Sequence, residues 1–349
     1  MDKIFASAPG RVFVSGEAVL ELGSKALAIP AEFSGKRNVV TFSFQESSGK
    51  LTAYDGNKIG TLPTTGRIRG DESLKLPLEA AKAALLANGY SLEKVDSSFS
   101  MSLECSAPAS AGKAAAVCAA VFAGIFDYFG DKDDARDAFK KEYLKAGSEI
   151  SQEDVLLAAS DLPLIFRKDF LLDGTISVKA TATKVKLPQN TAFLYADLKK
   201  PECMSSLEIS NRIASSRNVV TAAGKVKPAK DMTANERARA TEGFSEITEK
   251  LCKELSSSSA SPEKVASLLE LEHVSLSEAR VLSEATIAAA STAKQAGALA
   301  AKASGFDGAL LVFAYENDAA KISGALSEKG YSALPISVSS AGMVSEREE

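Results

Sequence analysis

Apolar positions in the N-terminal part of the chain recur at alternate residues, in short runs separated by turn residues. Arg11–Ser15, Asn38–Gln45 and Ser98–Glu104 follow this pattern and predict strands. Ser73–Asn88 switches to a helical period, with Leu78, Ala81, Leu85 and Leu86 on one face and Gly89 as its stop. An alanine-rich helix is predicted from Ala114 to Tyr128, carrying Val117, Val121, Ile125 and Phe126. Asp131–Lys145 predicts a charged helix and Leu164–Arg167 a strand. A boundary follows Leu187-Pro188. Beyond it, Ala192–Asp197 predicts a strand, and helical patterns cover Thr233–Leu255, Pro262–Leu271 and Ser277–Gln295. The chain closes with a strand, a helix and a strand over Ala309–Tyr315, Asp318–Lys329 and Ser332–Val338. A length of 349 residues accommodates two domains, expected at 1–187 and 188–349.

Composition narrows the function classes. The chain is 45% hydrophobic and 25% charged, with a net charge of −4 spread along it. That balance gives no basic footprint for nucleic acid or an anionic membrane. No apolar run suits a signal peptide or a membrane span. Cys105, Cys118, Cys203 and Cys252 are far apart, with neither metal-ligand spacing nor a disulfide framework. These features predict a cytoplasmic protein with reduced thiols. With His273 as the one histidine, a His-rich metal site is excluded, and a Ser-His-Asp hydrolase would have to use that residue.

Three segments and a carboxylate carry candidate chemistry. The first is Ser7-Ala8-Pro9-Gly10-Arg11-Val12-Phe13-Val14-Ser15-Gly16-Glu17, followed by the apolar return Ser24–Pro30. The second is Ser106-Ala107-Pro108-Ala109-Ser110-Ala111-Gly112-Lys113, lying between a predicted strand and the alanine-rich helix. A strand, a loop of small residues and a buried helix form a common layout for phosphate binding. Lys113 opposes the helix dipole there, which is unfavourable unless an anion is present. The third runs from Gln295 through Lys302, Ser304, Gly305, Phe306, Asp307 and Gly308 into a buried strand. Between the second and third, Ser151-Gln152-Glu153-Asp154-Val155 precedes the apolar run Leu164-Ile165-Phe166-Arg167.

In this order the segments resemble the motifs of the GHMP small-molecule kinases, nearest the mevalonate kinase and phosphomevalonate kinase branch. The resemblance covers most of the chain. It implies an α+β fold of two domains, the N-terminal one like ribosomal protein S5 domain 2 and the C-terminal one ferredoxin-like. It implies ATP and Mg²⁺ as cofactors. Arg11 and Asp154 fall on catalytic positions: a cation beside the moving phosphoryl charge, and a carboxylate that accepts the acceptor's hydroxyl proton. Ser110, Gly112, Lys113 and Ala114 fall on the phosphate loop, Glu17, Gly305 and Asp307 on the substrate side, and Glu142 near the Mg²⁺ carboxylate. The chain departs from the family at several points. Ala18 stands where histidine is usual. The phosphate loop is short, keeps only Gly112 of its glycines, and has Lys113 and Ala114 where serines are expected. The third loop is also short.

The expected function is ATP-dependent phosphorylation of a small alcohol or phosphate ester of the mevalonate-pathway type. The alternative is a catalytically weak binding or regulatory protein on the same fold. A phosphorylated acceptor would need further cations, for which Lys25, Arg67 and Arg69 are available. The expected partner is a small-molecule substrate, with no nucleic acid and no membrane, and a homodimer is left open.

Overall fold

The structure is a computed structural model that describes residues 3–46, 50–91, 97–145, 147–171, 176–198, 205–221, 225–304 and 308–348. The strands are β1 Lys3–Ala8, β2 Gly10–Ser15, β3 Lys25–Phe33, β4 Asn38–Glu46, β5 Lys50–Asp55, β6 Lys58–Pro63, β7 Arg69–Gly70, β8 Ser97–Glu104, β9 Leu164–Phe170, β10 Ile176–Ala182, β11 Thr191–Asp197, β12 Ala300–Ser304, β13 Ala309–Tyr315, β14 Ser332–Val338 and β15 Val344–Arg347. The helices are α1 Lys75–Ala87, α2 Lys113–Phe129, α3 Ala135–Tyr143, α4 Gln152–Ala158, α5 Ser206–Ser216, α6 Ala234–Ala240, α7 Phe244–Leu255, α8 Pro262–Glu278, α9 Glu284–Gln295 and α10 Ala319–Glu328. Among the described residues, no helix is long and apolar enough to cross a membrane.

The chain divides into two compact units, each drawn from separated stretches. One takes Met1–Arg11, Pro30–Asp161 and Ser339–Glu349, the other Val12–Ile29 and Leu162–Val338. This differs from the contiguous 1–187 and 188–349 expected from the sequence. The first departure arises because β9 and β10, both before residue 187, lie in the second unit, where β9 pairs with β3. Another arises because the chain end returns to the first unit, where β15 pairs with β1, and a third because Val12–Ile29 also lies in the second unit.

The sheet of the first unit runs β15-β1-β4-β8-β5-β6-β7. Its pairings are antiparallel except for β5 beside β8. Alternation explains the core: Val40, Phe42 and Phe44 of β4 point the same way and are buried, as are Phe99 and Met101 of β8. They meet α2, which is buried continuously from Ala115 to Phe126. A helix that is apolar all round belongs in an interior, and its alanines allow the close approach.

The second unit has a sheet in the order β10-β9-β3-β14-β11-β13-β12, with β2 also paired to β3. Ala289, Ala290 and Ala293 of α9 and Ile322 and Leu326 of α10 pack on Leu194, Leu310 and Val312. A second cluster joins Val19 and Leu22 of the 3-10 turn Glu17–Leu22 to Ile213, Phe244 and Leu276.

Most predicted elements form near their expected bounds, while four helical patterns are cut differently. Thr233–Leu255 breaks at Thr241–Gly243 into α6 and α7. Pro262–Leu271 continues to Glu278. Ser277–Gln295 is interrupted before Ser283, whose side chain accepts from the Thr286 N–H and starts α9 afresh. Asp131–Lys145 begins as a 3-10 turn and becomes α3 only from Ala135.

Candidate functional site

In the first unit the Ser106–Lys113 segment, Arg11 and Asp154 come together. Arg11 Nη1 lies 3.0 Å from Asp154 Oδ1, with the two side chains 11% and 17% exposed. Arg11 Nη2 donates to the Ser110 carbonyl at 3.0 Å. Asp154 occupies the first turn of α4, where a carboxylate is favoured by the helix dipole. Ser151 starts that helix, its Oγ accepting from the Asp154 N–H at 3.1 Å. The cap therefore fixes the backbone from which the Asp154 carboxylate projects.

Gly112 completes this arrangement. Its φ of +70° is left-handed, and a Cβ there would meet Arg11 Cβ and Asp154 Oδ1 at 3.1 Å each. Glycine alone meets both demands without strain. The preceding turn, Ala109–Ala111, is 3-10, and α2 begins at Lys113 with no side chain capping it. The first N–H groups of α2 beyond Gly112 thus form an uncapped donor cluster beside a cation and a carboxylate, which suits an anion.

Lys113 and Ala114 also line a cavity of about 250 Å³ in the first unit. Leu76, Pro77, Leu103 and Val117 give it an apolar wall, and Ser73 is at its polar rim. Its composition matches a small-molecule pocket, although its volume falls below the usual ~300–1,000 Å³. Burial pushes up the pKa of the half-buried Cys105 thiol, which also lines the cavity, although Lys113 pulls it the other way by charge and by a hydrogen bond. Arg67 and Arg69 border a different cavity, of about 320 Å³, with Lys75 and Lys82. Lys25 is paired with Glu249 in the second unit at 2.8 Å.

Two expected site residues are placed elsewhere. Glu142 ends α3 with its carboxylate 40% exposed and paired to Lys145 at 2.5 Å. Among the described residues no contact brings it to the Arg11–Asp154 pair, and the structure gives it no support as a Mg²⁺ ligand. Nor, among those residues, is any group of three His, Cys, Asp or Glu side chains placed to hold a metal ion.

Glu17 is corrected from a substrate-facing residue to a buried one. It lies in the second unit, 3% exposed, with Lys302 Nζ at 3.1 and 3.2 Å from its two oxygens. The physical reason is the turn that carries it. Gly16 has a φ of +83°, and a Cβ there would stand 2.1 Å from the Lys25 carbonyl oxygen. The chain thus bends inward, and Glu17 enters the core. Gly305 and Asp307 lie outside the described residues.

Lys302 and Glu272, which complete the Glu17 cluster, have no role among the sequence expectations. A signal was present: Lys302 is the one charged residue in Ala300–Ser304 and is fully buried. The capping role of Ser151 is also absent from those expectations, although serine three residues before an acid is a helix-start pattern.

No family model and no curated protein sequence matches the chain. Solved structures match it over nearly full length at low identity. Lactococcus lactis galactokinase, in a complex with galactose, is 16% identical at a TM-score of 0.61, covering 99% of this chain and 95% of that one. L. major mevalonate kinase, in complex with R-mevalonate, is 15% identical at a TM-score of 0.67, covering 96% of each chain. A D-glycero-D-manno-heptose 1-phosphate kinase from Bacteriodes thetaiotaomicron is 14% identical at a TM-score of 0.64, covering 99% of each.

Proposed function

We propose that this chain, which has the fold of the GHMP kinases, is an ATP-dependent small-molecule kinase acting on an alcohol or phosphate ester, nearest in type to mevalonate or phosphomevalonate kinases. The observation that carries this reading is the Arg11–Asp154 pair, held 3.0 Å apart against Gly112 at the start of α2. Phosphoryl transfer to a hydroxyl needs a carboxylate for the leaving proton and a cation for charge on the transferring oxygens. Asp154 and Arg11 supply that pair of roles.

The residues present fit a nucleotide. Gly112 leaves the space that a Cβ would fill, the α2 N–H groups are uncapped, and the adjoining cavity has an apolar wall. ATP, when bound, would supply the transferable phosphoryl group. The backbone from Gly112 to Ala114 would hold its phosphates, and Lys113 would add a cation in place of the missing serine hydroxyl. Protein donors for Mg²⁺ are sparse among the described residues, so the ion would be held chiefly by the nucleotide's own oxygens. The same reading places the protein in the cytoplasm, without nucleic acid or membrane as partner, and leaves self-association open.

The test is a screen of mevalonate, its phosphates and common sugars with coupled detection of ADP. Asp154→Ala should lower kcat on the active acceptor by about 10²–10⁴. Unchanged turnover would sink the mechanism. A second reading, a binding or regulatory protein of this fold, is favoured by Lys113 at the position where the family has serine. It predicts no ADP release with any acceptor. Thermal unfolding with and without ATP·Mg²⁺ asks separately whether the phosphate site is intact, because bound ligand stabilises the folded state.

A further inference from the structure

The second unit contains a charge cluster that the proposed chemistry does not use. Glu17 from the turn after β2, Glu272 from α8 and Lys302 from β12 are all at most 3% exposed. Lys302 Nζ is 3.1 Å from Glu17 Oε1 and 3.3 Å from Glu272 Oε1, and it also donates to the Val14 carbonyl. Glu272 Oε1 accepts from the Gly16 N–H at 2.9 Å. The cluster thus holds both sides of the turn at Gly16.

Its charges do not balance. Two carboxylates and one ammonium leave one excess negative charge, and an unpaired buried charge is strongly disfavoured. Glu272 Oε2 is buried and, among the described residues, has no hydrogen-bond partner. Among those residues the neighbouring elements supply no second cation. α7 presents the Thr248 hydroxyl, which bonds Ser15, and β12 presents the Ser304 hydroxyl, which donates to the Phe13 carbonyl. The titratable groups that most influence Glu17 and Lys302 are each other and Glu272, and α8 also carries the titratable His273 next to Glu272.

We propose that Glu17, Glu272 and Lys302 form one buried clamp that offsets its excess negative charge with a single proton carried by Glu17, and that this proton keeps the Gly16–Glu17 turn fastened to α8 and β12. The clamp is independent of the kinase reading, and its test needs no substrate. Burial is the largest influence on Glu17, and together with the Glu272 charge it outweighs the attraction of Lys302 and holds the carboxyl above its ordinary value of 4.5. Burial alone would lower Lys302. The Glu17 and Glu272 carboxylates outweigh it and keep the ammonium above its ordinary value of 10.5.

The direction of the pH dependence follows. A carboxyl raised in the folded state binds its proton more tightly there than in the unfolded chain. Its contribution to stability is complete below 4.5 and is lost as pH rises through the folded value. The Lys302 contribution is complete below 10.5 and lost only at more alkaline pH. Raising the pH above 4.5 therefore loosens the clamp through Glu17 first, and through Lys302 only at alkaline pH.

Thermal unfolding of the full chain from pH 4.5 up to about pH 9 tests this. The wild-type Tm should fall with rising pH. Glu272→Gln removes one ionisable carboxyl and keeps an oxygen for Gly16 and Lys302, so its Tm should fall with a clearly shallower slope. Glu21→Gln, which breaks the surface pair with Lys168, should leave the wild-type slope unchanged. Hydrogen exchange at the Gly16 amide, corrected for its intrinsic pH dependence, should accelerate selectively in the wild type as pH rises and less so in Glu272→Gln. A wild-type slope in Glu272→Gln, an equal flattening in Glu21→Gln, or Gly16 exchange that tracks only global unfolding would each overturn the proposal.

Discussion

Two ion clusters, one in each unit, use similar residues in opposite ways. Arg11 and Asp154 are balanced in charge and keep 11% and 17% of their side-chain surface open. Lys302 is fully buried, between two carboxylates that are nearly so. The first pair can exchange part of its interaction for a ligand, since water and solutes reach it. The second cannot, because replacing any contact would expose a charge to an apolar interior. Proximity of charges to a family motif is therefore not enough to mark a reactive site. Charge balance and access divide the two.

The largest expected effect tests that division directly. Lys302→Met leaves two carboxyl groups buried without a cation. Removing one partner of a buried pair costs ~3–5 kcal/mol. The loss should appear as a fall in Tm on the order of 10 °C, read by circular dichroism at neutral pH. Acidification should recover part of it, because protonation neutralises the stranded carboxylates. A neutral Lys302→Met would mean that the cluster behaves like a surface pair, and the comparison would fail.

The first cluster is legible in the sequence and the second is not. Arg11, Gly112 and Asp154 stand in short segments whose residue types each point to a local role. One is a cation at a strand start, one a glycine before a helix, and one an acid shortly before the Leu164–Arg167 strand, placed by its resemblance to the kinase motifs. Their convergence can then be expected from the motif order. Lys302 and Glu17 lie 285 positions apart and touch. Periodicity reports which face of an element is buried, and it is silent on which distant charge shares that burial. The expectation that Glu17 faces substrate fails for that reason. The interleaved units escape in the same way, since strand patterns identify a strand without naming its neighbours, as β9 beside β3 shows. The β5–β6 hairpin is absent from the expected elements despite Gly56-Asn57 between its strands, a turn signal that can be read locally.

A smaller effect is expected at the loop glycine. Gly112→Ala forces an alanine to φ +70° and brings its Cβ to 3.1 Å from Arg11 Cβ and Asp154 Oδ1. The strain should cost about 1–3 kcal/mol in denaturant unfolding. ADP production should fall by more than that stability loss explains, because the clash pushes directly on the reactive pair. Equal loss of stability with full activity would show that the pair is not the reacting centre.

The smallest effect isolates position from presence. Ser151→Ala removes the Oγ that accepts from the Asp154 N–H and leaves the Asp154 carboxylate intact. A lost N-cap costs about 1 kcal/mol. If α4 aims Asp154 at Arg11, the variant should lower kcat while leaving the KM for ATP near its wild-type value, because the proposed function has the nucleotide held from α2. Ser151→Thr retains a hydroxyl cap and should restore kcat. Failure of threonine to rescue, or a KM change without a kcat change, would show that Ser151 supports the helix alone. The capped first turn would then be only a structural device, as the second unit's buried clamp is, and the distinction between the two clusters would rest on solvent access.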